Sequence, residues 1–274
     1  MQLDVFASEP FSGNPLAVVL GGDGLSTEQM QRITDWTNLS EATFLLPPTD
    51  PAADYRVRIF CPGRELPFAG HPTLGSCAAW LAAGGVPAAG ETIVQECGAG
   101  SISIRPDGDR LAFAAPPLVR SGAIDSKVLA ERLEQLGLES ERVVDAAWID
   151  NGPGWMGILL DSVDAVLSVP VPGATLPGFD VGLIGLHPAE SECAVETRAF
   201  FADAAGSVRE DPVTGSLNAS VAQWLTESGR LATPYVASQG ECVGRRGRVH
   251  VDASDGRLWI GGRAPIVVEG VLRT

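Results

Sequence analysis

Three side chains in this sequence stand where a proton could be moved. Glu41 lies in Asn-Leu-Ser-Glu at the mouth of the apolar run Phe44-Leu45-Leu46, His71 in Phe-Ala-Gly-His-Pro-Thr, and Asp211 in Glu-Asp-Pro-Val-Thr-Gly-Ser. A histidine changes charge near neutral pH and can give or take a proton; an aspartate is an acceptor. A carboxylate set against apolar residues is partly desolvated, which raises its pKa and makes it a better base. Glu41 also reads as a solvated strand end, and His187 and His250 read as structural histidines. Gly70 with His71 and Gly215 with Ser216 stand at turns expected to feed helices. Such turns present free backbone N–H groups and a positive dipole end, suited to a carboxylate or phosphate. The plainer alternative is that each Gly-Ser starts a structural helix.

Other chemistries fail on spacing. There is no Gly-x-Ser-x-Gly and no phosphate-binding P-loop, and Cys97-Gly-Ala-Gly lacks the third glycine and the helix of a dinucleotide site. Three histidines without paired spacing do not make a zinc site. Lys127, the only lysine, falls near the start of an amphipathic helix and is a poor Schiff-base candidate for pyridoxal phosphate. The basic run at 244–248 reads as a solvated hairpin turn. No metal and no cofactor is expected.

An internal repeat supplies the elements that must position these residues. A shift of 140 positions lays Arg58 on Arg198, Phe60 on Phe200, His71 on Asp211, Pro72 on Pro212, Gly75 on Gly215 and Ser76 on Ser216. Each copy reads as an apolar strand (55–61; 194–202), a polar loop, then a Pro-x-x-Gly-Ser turn opening a small-residue helix (73–84; 214–228). Helices apolar on most faces are buried, so a strand-wrapped central helix is expected in each copy. In mirror-like lobes, His71 and Asp211 would point into one cleft from opposite sides. Two amphipathic helices, 26–38 and 125–137, and short strands from 2–7 to 265–269 complete an α+β protein of two similar lobes. Ser26 and Gln29 have capping-box spacing, and Pro116-Pro117 is the expected boundary between lobes 1–117 and 118–262.

The 274 residues allow one large domain or two small ones, and 45% hydrophobic against 19% charged residues fits a chain with an ample core. A net charge of −15 repels nucleic acid and anionic membrane, so neither is expected as a partner. The N-terminal residues do not read as a signal peptide, and no apolar run reaches the ~20 residues of a membrane span. Five widely spaced cysteines read as reduced cytosolic thiols.

NPLAVVL at 14–20, NLSEATF at 38–44, RIFCPGRELPFAGHPTLGSC at 58–77, EDPVTGSLNAS at 210–220 and GGRAPIVVEG at 261–270 together resemble the PhzF-type phenazine-biosynthesis isomerases. The resemblance implies the diaminopimelate-epimerase-like fold: two pseudo-symmetric lobes, each a barrel-like sheet around a central helix. It also implies that the closing segment, 263–274, returns to the first lobe. A member of that family isomerises a dihydro-hydroxyanthranilate without metal or organic cofactor. By that likeness Glu41 matches the proton-shuttling glutamate, His71 and Asp211 the assisting histidine and aspartate, and Ser216 the serine that holds substrate. Thr214 stands in the same Thr-Gly-Ser element, and Gly70 and Gly215 match backbone donors. A homodimer is implied as well.

Two departures matter. The related amino-acid epimerases use one cysteine per lobe, and neither loop here supplies one; Cys77 reads as core. Leu217, followed by Asn218, stands where the family usually carries a small residue and could narrow the pocket or change the substrate. The resulting expectation is a cytoplasmic, cofactor-independent isomerase moving a proton between carbons of a small carboxylate-bearing substrate. Its alternatives are an epimerase of an amino-acid-like compound and a non-catalytic ligand-binding protein.

Overall fold

The computed structural model describes residues 1–273 except positions 89 and 204. The chain divides into two compact units, Met1–Ala114 with the segment from Trp259 on, and Ala115–Leu258. The sequence placed the boundaries at 117 and 262. The units part where they do because Trp259–Gly262 pairs antiparallel with Leu111–Ala114 and so belongs to the first unit's sheet.

In the first unit a ring of strands curls around one helix. Gln2–Val5 and Asn14–Val19 form a hairpin, and helix α1 (Thr27–Thr37) carries the chain to Glu41–Leu46, parallel to Asn14–Val19. Tyr55–Cys61 follows antiparallel, and helix α2 (Gly70–Ala82) carries the chain on to Ile93–Cys97, parallel to Tyr55–Cys61. Gly100–Asp107 and Arg110–Ala114 continue antiparallel. The ring closes through Ile266–Val268, which pairs with Gln2–Val5. Ser26 and Gln29 form the expected capping box on α1.

Helix α2 is the unit's axis. It is apolar on nearly every face, and Gly70 through Cys77 are all buried. Gly75 fixes how closely it packs: a Cβ there would stand 2.5 Å from Leu16 Cδ2 and 3.0 Å from Val5 Cγ2. Cys77 is fully buried, as read from sequence, and burial pushes its thiol up to about 12.

The second unit repeats the same order of pairings. After helix α3 (Ser126–Leu136), Val143–Asp150 and Met156–Leu160 form a hairpin, and helix α4 (Val163–Ser168) leads to Asp180–Leu186, parallel to Met156–Leu160. Val195–Ala202 follows antiparallel, and helix α5 (Gly215–Glu227) leads to Tyr235–Gln239, parallel to Val195–Ala202. Gly247–Ser254 then closes a hairpin. The polar loops of the sequence reading also carry the short strands Arg64–Leu66 and Val208–Asp211.

The repeat is real, but its register changes within each copy. Arg58 grips Glu65 and lies over the Phe60 ring; Arg198 grips Glu210 and lies over the Phe200 ring. Phe60 faces Glu65, five positions on, while Phe200 faces Glu210, ten positions on. The longer turn of the second copy breaks the 140-residue shift, and the central helices, starting at Gly70 and Gly215, are 145 apart. His71 therefore corresponds to Ser216, not to Asp211. The Pro-x-x-Gly-Ser turns are likewise unlike. Gly215 opens α5, whereas Gly75-Ser76 lies inside α2, which starts at Gly70 because the first-turn Pro72 needs no N–H partner there.

Candidate active site

The structure gathers the sequence-chosen residues into two clusters, one per unit. In the first, Glu41 opens the strand Glu41–Leu46 beside Leu16, and His71 is the second residue of α2. The buried His71 ring holds Nε2 3.4 Å from Glu41 Oε2, and the Glu41 side chain keeps 16% of its exposure. Burial lowers the His71 pKa to about 3, so the ring is neutral and its contact with Glu41 is not an ion pair at neutral pH. Its other nitrogen, Nδ1, lies 3.4 Å from Asn14 Nδ2. Glu41 also acts on Cys61, one residue beyond the Ala42–Phe60 pair. Burial pushes the Cys61 thiol up, and the Glu41 carboxylate adds to it. Gly70, the first residue of α2, is buried beside His71.

In the second cluster Asp211, Thr214, Gly215 and Ser216 come together around the start of α5. Thr214 Oγ1 donates to Asp211 Oδ2 at 2.5 Å and accepts from Gln239 Nε2 at 2.9 Å. Gln239 also donates to the Asp211 carbonyl, and its Oε1 accepts from the Thr214 N–H and from Asn218 Nδ2. A single buried glutamine thus sets the whole turn. Gln95 plays a related part on α2, donating to Thr73 Oγ1 while Tyr55 donates to its Oε1. Trp155 Nε1 donates to Ser216 Oγ at 3.0 Å, and Asn151 Nδ2 donates to the Ser216 carbonyl at 2.9 Å. Neither Ala69 nor Thr214, the residues before α2 and α5, caps its helix with a side chain. The first-turn amides of both helices therefore keep their donor character for an anion.

Several expectations change. Glu210, the neighbour of Asp211 in sequence, is engaged elsewhere: both its oxygens bind Arg198, whose third nitrogen serves the carbonyls of Val166 and Val169 at the end of α4. Leu217 does not narrow a pocket. It is fully buried and packs on Gly182, where a Cβ would stand 2.4 Å from its Cδ1. Asn218 is held by the Thr214 carbonyl and Gln239. His187, read as structural, lies 3.3 Å from Glu196 Oε2 and from Ser238 Oγ. Sequence reasoning missed Asn14, Trp155, Asn151 and Gln239. Only Asn14 had a signal, as the first letter of the NPLAVVL motif.

Among the described residues no group of three or more histidine, cysteine, aspartate or glutamate side chains is placed to hold a metal ion, and no helix is long and apolar enough to cross a membrane.

The family model of phenazine biosynthesis-like proteins, PhzC-PhzF, matches residues 3–270. Antisense-enhancing sequence 1 of Schizosaccharomyces pombe is 34% identical over 98% of this chain and 96% of its own length. A trans-2,3-dihydro-3-hydroxyanthranilate isomerase of Pseudomonas fluorescens is 33% identical over 89% of this chain and 86% of its own. The solved structure of a predicted epimerase from Pseudomonas aeruginosa matches with a TM-score of 0.82 at 27% identity, covering 100% of this chain and 98% of that one. The chain belongs to the phenazine biosynthesis-like (PhzC-PhzF) family, with its α+β fold of two related lobes. It is an isomerase of small molecules.

Proposed function

We propose that this isomerase moves a proton between carbons of a small carboxylate-bearing substrate, of the dihydro-hydroxyanthranilate type, with Glu41 as base and then as acid. The observation that carries the reading is the contact between the partly exposed Glu41 carboxylate and the neutral, buried His71 at 3.4 Å. Glu41 takes a proton from one carbon, the electron pair spreads through the conjugated system, and the same carboxyl group returns the proton to another carbon as the double bond migrates. Each cycle thus leaves Glu41 as it began. His71 polarises the substrate and steadies the developing charge, a role that a neutral ring with one N–H can fill.

In the second unit Ser216 and the first-turn amides of α5 take the substrate carboxylate, and Asp211, with Thr214, binds a polar group of the substrate. Gly70 and Gly215 serve as backbone donors. The reaction runs without metal or organic cofactor, in the cytoplasm, in a homodimer, and with no nucleic-acid or membrane partner. The family resemblance and the strongly acidic composition support these points.

The test is proton NMR in D₂O on trans-2,3-dihydro-3-hydroxyanthranilate with the purified protein and its Glu41→Gln variant. Substrate loss and deuterium uptake at ring carbons are followed together. Turnover by the natural protein that falls by roughly 10²–10⁴ in the variant is expected for loss of a general acid–base group. Equal turnover in both removes Glu41 as the base. The structural likeness to a predicted epimerase favours a second reading, epimerisation of an amino-acid-like compound. Exchange at a stereocentre without double-bond migration distinguishes it.

A further inference from the structure

In each unit, a side chain outside the buried helix makes a hydrogen bond to the side chain of the second residue of that helix. Asn14, the first residue of Asn14–Val19, is fully buried and faces His71 with its amide nitrogen. Trp155, just before Met156–Leu160, is buried and faces Ser216 Oγ with its indole nitrogen. His71 and Ser216 are equivalent positions by the helix register, and the two partner residues stand at the entry to equivalent strands. The same device has been kept twice with different chemistry.

Both partner atoms can only donate, and that fixes what each target can do. An amide nitrogen facing Nδ1 requires that Nδ1 accept. The one proton of a neutral imidazole must then lie on Nε2, the nitrogen 3.4 Å from Glu41 Oε2. An indole N–H facing Ser216 Oγ occupies one of its lone pairs. Among the described residues no group takes the Ser216 hydroxyl proton, so that proton is free for a ligand oxygen.

We propose that Asn14 and Trp155 are positioning residues: Asn14 holds His71 in the tautomer whose proton on Nε2 faces Glu41, and Trp155 holds Ser216 as a donor to a substrate oxygen. The proposal rests on the roles given above to Glu41, His71 and Ser216. Its first test is made without substrate, so that it can fail while that reading stands.

The ring nitrogens of ¹⁵N-histidine-labelled protein report the tautomer directly. His71 in the natural protein is expected to show a pyridine-like Nδ1 and a pyrrole-like Nε2. In Asn14→Asp the carboxylate accepts instead of donating, and the two signatures exchange. In Asn14→Ala, which removes the partner without burying a charge, both tautomers appear and kcat falls roughly 10–100-fold, the size of loss found when the partner that fixes the tautomer of a metal-bound histidine is removed. A pyrrole-like Nδ1 in the natural protein, or signatures unchanged in both variants, overturns the role of Asn14; the natural protein alone decides if neither variant folds. For Trp155, Trp155→Phe keeps an aromatic ring and deletes the N–H. KM is expected to rise roughly fivefold with kcat little changed, the worth of one hydrogen bond. Combined with Ser216→Ala it adds nothing further. An unchanged KM, or additive effects in the double variant, overturns its role. If Trp155→Phe does not fold, Trp155→Met is read in the same way.

Discussion

Arg198 binds Glu210 through Nε and a terminal nitrogen, at 3.0 and 2.7 Å, the same two-point grip that Arg58 makes on Glu65 at 2.7 and 2.6 Å. The two pairs differ in surroundings. Glu65 keeps 40% of its side-chain exposure, Glu210 only 1%, and Arg198 also closes the end of α4. Removing one partner of a buried pair strands the other charge, whereas an exposed pair is replaced by water. Glu210→Gln is therefore expected to cost about 3 kcal/mol in denaturant unfolding and Glu65→Gln less than about 1 kcal/mol. Equal losses would mean that burial does not govern the two sites.

Acid should loosen the first unit through His71. Its pKa is about 3 in the folded chain, held there by burial, against an ordinary value of 6.5. Between those values the unfolded chain carries the extra proton, so stability rises with pH across the window and is complete above it. Stability should fall by roughly 1 kcal/mol per pH unit as pH drops from 6.5 towards 3. Unfolding curves of His71→Asn at several pH values should show a shallower decline; an equal slope refutes the assignment.

Gly75→Ala tests how α2 is seated. The added methyl would meet the side-chain ends of Leu16 and Val5 inside van der Waals contact, and both are fully buried, so they can yield only by disturbing the packing around them. A loss of about 1–3 kcal/mol is expected from overpacking, against the helix propensity gained by alanine. A more stable variant in thermal unfolding would show that the helix can shift.

Leu217→Ala separates scaffold from pocket. Because the side chain packs on Gly182 in the core, the variant should lose about 2–5 kcal/mol of stability while KM for the substrate stays within twofold or so. A large change in KM at a temperature where the variant is folded would return Leu217 to the binding surface.

Much of this arrangement could be read from residue types. The burial of α2 and α5 follows from helices with no polar face, the capping of α1 from Ser26 and Gln29, and the duplication from Arg58-x-Phe60 and Arg198-x-Phe200. The register of His71 could not be read. A gap-free alignment has no means of sensing that one hairpin turn is longer, and Pro212 with Gly215-Ser216 copies Pro72 with Gly75-Ser76 in letters while differing in place. Gln239, Trp155 and Asn14 were hidden for another reason. Each acts through hydrogen bonds across the fold, and nothing in local sequence marks a partner dozens of residues away.

The return of the chain to the first unit has a consequence for synthesis. Gln2–Val5 waits for Ile266–Val268, and Leu111–Ala114 waits for Trp259–Gly262. Emerging from the ribosome, the unit that begins first is the last that can be completed, while the contiguous stretch from Ala115 to Leu258 can fold ahead of it. A chain cut before Trp259 would carry a finished second unit tethered to a ring with two unpaired edges, open to pairing with other chains.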